Sequence, residues 1–129
     1  MNVYDTVNKL AQEIKNSEEF KSYKKYKELI KSNPEINEQI KKFETLRYEI
    51  QISAMQGLDK NEDKEKELQE IYAELLAKEN VKEYFEAEFK FNILLADVNK
   101  IIGDSVKEVL GWFEIKIIKT RFKTALSFI

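Results

Sequence analysis

Apolar residues recur along this chain at three- and four-residue intervals, the spacing that gathers them on one side of an α-helix. Val7, Leu10, Ala11 and Ile14 mark such a side in a first segment, from about Val3 to Lys15. A second, near Ser17 to Lys31, opens on Asn16 followed by Glu19, the order of a capping box. Ser32-Asn33-Pro34-Glu35 stops it and starts a third. The residue before a proline avoids helical dihedrals, whereas proline itself fits a first turn. The third segment runs to about Gln56 on a stripe of Ile36, Ile40, Phe43, Leu46, Ile50 and Ala54. Gly57 then supplies the left-handed residue that ends a helix. Asp59-Lys60-Asn61-Glu62 caps a fourth, which buries Leu68, Ile71, Tyr72, Leu75 and Leu76. Asn80, with Glu83 three residues on, caps a fifth that reaches about Leu110. Short connections make neighbouring helices turn back on each other, so the pattern predicts an all-α bundle of about five helices in antiparallel hairpins.

The fifth segment departs from a plain amphipathic pattern. Phe85, Phe91, Leu95, Ile102 and Val106 fall on one broad face, and Glu88, Asn92, Asn99 and Gly103 fall within it. A carboxylate and two amides inside an apolar stripe cost free energy unless something satisfies them. Arg47 interrupts the third stripe between Phe43 and Ile50 in the same way, and a guanidinium could grip Glu88 bidentately. Arg47, Glu88, Asn92, Asn99 and Gly103 therefore form the candidate polar network or interface. A satisfied network fixing helix register accounts for the pattern more simply than a ligand site, and Gly103 reads as a close-approach point for another helix.

Composition narrows the chemistry. With 129 residues the chain is long enough to bury a core, and three Gly and one Pro leave little turn chemistry for a sheet. It contains neither cysteine nor histidine. That removes thiolate metal sites, cysteine-held clusters and the commonest general base. Carboxylate-only catalysis needs paired acids converging in a pocket, and no spacing demands that, so no catalytic, cofactor or metal residues are assigned. The N-terminus lacks the basic and apolar regions of a signal peptide, and no 18-residue apolar run spans a membrane. A cytoplasmic location is expected.

Two stretches bear on partners. In the second helix Phe20, Tyr23 and Tyr26 alternate with Lys21, Lys24, Lys25, Lys27 and Lys31. Phosphate pairing and base stacking could make Lys21, Tyr23, Lys24, Tyr26, Lys27 and Lys31 a contact for single-stranded RNA. A core-facing aromatic stripe flanked by snorkelling lysines explains the same spacing, and the formal charge of −2 offers nucleic acid no global attraction. From Gly111 the chain changes character: Lys116, Lys119, Arg121 and Lys123 against Glu114 leave the last nineteen residues at +3 and residues 1–110 at −5. Ile115, Ile118, Phe122, Leu126 and Ile129 share one side of that tail, a basic amphipathic pattern that docks on a helix pair or lies on a membrane surface. The expected organisation is a helical domain over 1–110 and a separate tail over 111–129.

The run Glu86-Ala-Glu-Phe-Lys-Phe-Asn-Ile-Leu-Leu-Ala-Asp-Val-Asn-Lys-Ile-Ile-Gly103 resembles the hallmark helix of the YlbF/YmcA family of small bacterial helical proteins. Val3-Tyr4-Asp5, Leu10-Ala11 and the Ser32-Asn33-Pro34-Glu35 turn are similar to residues at the same places in that family, so the resemblance covers roughly residues 2–110. It implies an all-α, usually dimeric protein. It also implies a regulatory partner in developmental control (competence, biofilm, sporulation) or in messenger-RNA processing. Relatives that hold iron–sulfur clusters use cysteines, so no cofactor carries over, and this chain is more similar to the cysteine-free YheA-like branch. The expectation is a non-enzymatic regulatory or adaptor protein acting through protein–protein contacts. Its expected partners are a second copy, met through the third and fifth helices, and other regulators of the same family. An RNA-associated factor using the Lys/Tyr helix is the alternative.

Overall fold

The structure, a computed structural model, describes residues 2–111. The basic amphipathic tail expected after Gly111 lies outside the described residues. Five helices follow one another: α1 Val3–Lys15, α2 Glu18–Lys31, α3 Pro34–Met55, α4 Glu62–Leu76 and α5 Val81–Val106. Among the described residues there is no strand. The expected all-α architecture is the observed one.

Local chemistry sets most of the boundaries. The side chains of Asn2, Ser17, Asn33 and Asn61 accept hydrogen bonds from the backbone N–H of Tyr4, Phe20, Ile36 and Lys64, each capping the helix that follows. Such a bond satisfies a donor that no carbonyl within the helix can reach. Pro34 stands in the first turn of α3, where its missing N–H is no loss. At the other end of α3, Gly57 adopts φ +71°, and the Leu58 N–H reaches back to the Ser53 carbonyl at 3.1 Å. This 6→1 bond is the Schellman closure of a helix.

Two expected caps are corrected. Ser17, not Asn16, caps α2, because α1 and α2 are only two residues apart and Asn16 is held as the C-cap of α1. Asn80 makes no side-chain cap. It stands at φ 68°, turning the chain between α4 and α5, and only its carbonyl joins α5, by accepting from the Tyr84 N–H at 3.0 Å. Asn tolerates this left-handed conformation better than most residues.

Side-chain contacts fix the packing. Phe20 meets Phe91 and Tyr23 meets Tyr84, so α2 and α5 run antiparallel. Phe43 stacks on Tyr72, and Lys64 pairs with Glu49 at 3.6 Å, so α3 and α4 form a second antiparallel pair. Phe43 also meets Phe85, which ties the two pairs together. The core consists of Tyr23, Ile30, Ile36, Ile40, Phe43, Leu75, Val81, Tyr84 and Ala87, with Leu75 and Val81 fully enclosed.

This core occupies one end of the molecule. Three apolar stripes read from the sequence run past it. The stripe of α3 is buried through Leu46, whereas Ile50 is half-buried and Ala54 exposed. On α5 the expected face is buried at Glu88 and Gly103 and half-buried at Phe91, Leu95 and Val106, but Ile102 stands 51% exposed. The most marked departure is α1, which buries no residue; Val3 is 74% and Tyr4 78% exposed, and Val7 is exposed as well. Helical spacing gathers apolar residues on one side, but it does not say which of them another element of the same chain will cover.

Candidate functional site

At the open edge of the core, α3, α4 and α5 enclose a cleft of about 600 Å³. Phe43 and Arg47 of α3 form its floor, Tyr72 and Leu76 of α4 one wall, and Phe85, Phe89 and Asn92 of α5 the other. Residues of α5 four apart lie one above another, so Phe85 and Phe89, and likewise Glu88 and Asn92, point the same way. Lys82 and Glu86 stand at the rim.

Arg47 and Glu88, singled out from their positions in apolar stripes, meet across the cleft. Arg47 Nη1 donates to Glu88 Oε1 at 3.3 Å, and the guanidinium lies 5.4 Å from the centre of the Phe43 ring. Glu88 is 7% exposed, yet its second oxygen, Oε2, is buried without a hydrogen-bond partner. The pairing is thus through one oxygen rather than the expected two. A bidentate grip needs the guanidinium plane aligned with both carboxylate oxygens, and here Arg47 also leans over Phe43.

Asn92 lines the same cleft, whereas Asn99 and Gly103 do not join it. Asn99 is half-buried two turns further along α5, about 10 Å of helix rise beyond Asn92. Gly103 is buried near the end of α5. The expected five-residue network is therefore a three-residue cluster of Arg47, Glu88 and Asn92, with Asn99 and Gly103 standing apart.

In a second polar group beside it, only Tyr23 was among the residues expected to matter, and there as an RNA contact rather than a core hydroxyl. The Tyr84 hydroxyl donates to Glu44 Oε1 at 3.1 Å, and the Tyr23 hydroxyl is hydrogen-bonded with Tyr84. Burial pushes the Tyr23 hydroxyl up to about 12, with the Glu88 charge adding to the shift, and burial raises Tyr84 also. Glu44 is raised above the usual carboxylate range, first by burial and then by the Glu88 charge, against the Tyr84 hydrogen bond and Arg47. The signal was present in the spacing: Glu44 precedes Arg47 by three residues, and Tyr84 precedes Glu88 by four. Each pair shares a helix side. The two clusters together form one polar seam through the α2–α3–α5 contact.

The Lys/Tyr helix divides. Tyr23 is a core residue against Tyr84 and Phe91, so its ring is not open for a base to stack on, and Tyr26 is half-buried beside the core with Lys25 Nζ 5.2 Å from its ring centre. Lys21, Lys24 and Lys31 are exposed, while Lys27 lies 5.3 Å from the Tyr23 ring centre. This is the arrangement of a solvated lysine face over a buried aromatic stripe.

The molecule presents a small helical module whose core ends halfway along its longest helices, with an aromatic cleft floored by an arginine–glutamate pair. Among the described residues no group of three or more acids is placed to hold a metal ion, and no helix is long and apolar enough to cross a membrane. The chain belongs to the family described as control of competence regulator ComK, YlbF/YmcA, whose sequence model matches residues 3–107. Its relatives include a UPF0342 protein of Desulfitobacterium hafniense, 36% identical over 110 residues, with 85% of this chain and 89% of that protein covered. A UPF0342 protein of Symbiobacterium thermophilum is 33% identical, with 81% and 93% covered. Another from Caldicellulosiruptor bescii is 31% identical, with 82% and 89% covered. No solved structure matches the chain. The family's description is one of regulation, and the match ends where α5 ends, before the basic tail.

Proposed function

We propose that this protein is a non-catalytic regulatory module, located in the cytoplasm, that works by protein–protein contact. It pairs with a second copy of itself and, through the same kind of surface, with other regulators of its family. The observation that carries this reading is α1. Thirteen residues of helix are held at one end only, and none is buried. Isolated helices of about 12–15 residues are marginal in water, so α1 draws its stability from packing that its own core does not supply. Val3, Val7, Leu10 and Ile14 give it an apolar side, and Ile101 and Ile102 near the end of α5 are exposed too. Two copies that exchange these surfaces would cover both.

This assigns self-association to α1 and the end of α5. The stripe of α3 is left out of this assignment, because Ile36, Ile40, Phe43 and Leu46 are buried within their own chain. Two differently tagged copies, expressed together, test the assignment. They should co-purify, and Val3→Asp with Val7→Asp in both copies should abolish the co-purification. Unchanged recovery of the second tag would remove α1 from the interface.

A further inference from the structure

α5 carries a second pattern, which starts at the wall of the cleft and runs on past it. The core residues of α5, Val81, Tyr84 and Ala87, lie in its first two turns. Beyond them Phe89, Asn92, Ala96, Asn99 and Val106 recur on the three- and four-residue steps of a heptad seam. At 100° per residue these five fall within about 100° of one another. Phe89 is 65% exposed, Ala96 is exposed, and Asn92 and Asn99 are half-buried. Among the described residues, no hydrogen bond joins the side chain of Asn92 or Asn99 to another residue. An amide both donates and accepts, so two of them brought face to face satisfy each other. An asparagine inside a helix seam also fixes the register of the two helices.

We propose that a second copy of this chain lays its own α5 antiparallel along this seam, about a two-fold axis at Ala96. The inference rests on the self-association reading and adds the surface and register of the contact. Three features select this arrangement. Asn92 stands four residues before Ala96 and Asn99 three residues after it, so the axis brings Asn92 of each copy level with Asn99 of the other. Ala96 meets its own counterpart, and so small a side chain lets the helix axes approach to about 8 Å. Glu86 and Lys107 are three heptads apart on one exposed edge of the seam, and the axis brings them level to within one residue, an ion pair at each end. A parallel pairing would leave those two charges about 30 Å apart along the helices. The antiparallel contact also sets the covered end of each α5 beside the uncovered end of the other, where Ile102 stands 51% exposed.

The chain has no cysteine, so a single introduced thiol in the full chain can cross-link only to another copy. A disulfide needs Cβ atoms about 4 Å apart. Ala96→Cys sits on the axis and should cross-link to its own counterpart under mild oxidation. Asn92→Cys and Asn99→Cys should each cross-link poorly alone, and well when the two variants are co-expressed. Lys90→Cys, exposed on the far side of α5, reports chance encounter. Thiols held side by side meet at an effective concentration of about millimolar, against about 10 µM for free protein, so Ala96→Cys and the co-expressed pair should oxidise about tenfold or more faster than Lys90→Cys. Light scattering on the parent protein gives the mass in parallel. With a parent at twice 15.3 kDa, oxidation of Ala96→Cys and of the co-expressed pair at the Lys90→Cys rate would overturn the seam and leave self-association standing. So would Asn92→Cys that cross-links alone as fast as with Asn99→Cys, the result of a parallel pair. A parent at the single-chain mass would overturn the seam and the self-association reading together.

Discussion

Removing Arg47 should cost more than removing Glu88, although each deletes the same 3.3 Å contact. The Glu88 side chain is only 10% exposed and already has one oxygen without a partner, whereas Arg47 is 27% exposed. Arg47→Ala therefore strands a carboxylate with both oxygens unpaired at the floor of the cleft. Breaking a buried pair this way costs about 3–5 kcal/mol, and access to water through the cleft puts this case near about 3 kcal/mol. Glu88→Ala leaves a guanidinium that can turn toward solvent while keeping its stem on Phe43, so the loss should be about 1–2 kcal/mol. Replacing both, as Arg47→Met with Glu88→Leu, removes the charges together and should fall within about 1 kcal/mol of the parent or above it. Urea melts followed by circular dichroism give the midpoints, read at constant slope. Equal costs for the two single variants, or a double variant whose loss is the sum of theirs, would refute the assignment of a buried, coupled pair.

Other outcomes follow from the same geometry. Burial holds Tyr23 and Tyr84 protonated in the fold, so the stability this contributes is complete below pH 10 and is lost as pH rises toward 12. An ultraviolet titration at pH 11 should find two of the six tyrosines un-ionised until urea is added; ionisation of all six in the folded protein contradicts the burial. Glu44 has a raised folded value, so its favourable contribution is present at low pH and is lost as pH rises through that value. Glu44→Gln, which keeps the acceptor for Tyr84, should then be neutral or stabilising at pH 7 in a thermal melt, and a marked loss would contradict the sign. Ser17→Ala should cost about 1 kcal/mol and Asn16→Ala a fraction of that. Asn80→Gly should be tolerated while Asn80→Val costs about 1–2 kcal/mol for its left-handed backbone; denaturant midpoints decide both comparisons.

The helices were legible in the sequence because their signals are local. Asn33-Pro34, Asn61 and Gly57 each act on backbone groups within a few residues, and each does so in the structure. Where a local signal had two possible readings, geometry chose. Asn16 and Ser17 both suit a cap, and the two-residue link between α1 and α2 left the role to Ser17. The Arg47–Glu88 contact was legible because two charged residues interrupting apolar stripes need each other more than either needs water. Its single-oxygen geometry was not, since that depends on where Phe43 holds the guanidinium. The Tyr84–Glu44 bond escaped notice because Tyr and Glu at a stripe's edge are equally at home in solvent. The bareness of α1 could not be read at all: an amphipathic helix looks the same whether its partner is its own core or another molecule.

The account rests most heavily on α1 being a surface for another copy, and the mass of the protein in solution tests that directly. Light scattering at micromolar concentration should give twice the chain mass of 15.3 kDa. Val3→Asp with Val7→Asp should return the single-chain value while the helices of the core remain, because α1 contributes no buried residue to that core. A parent protein that stays at the single-chain mass throughout the micromolar range would contradict the account, as would a substituted protein that still forms the dimer.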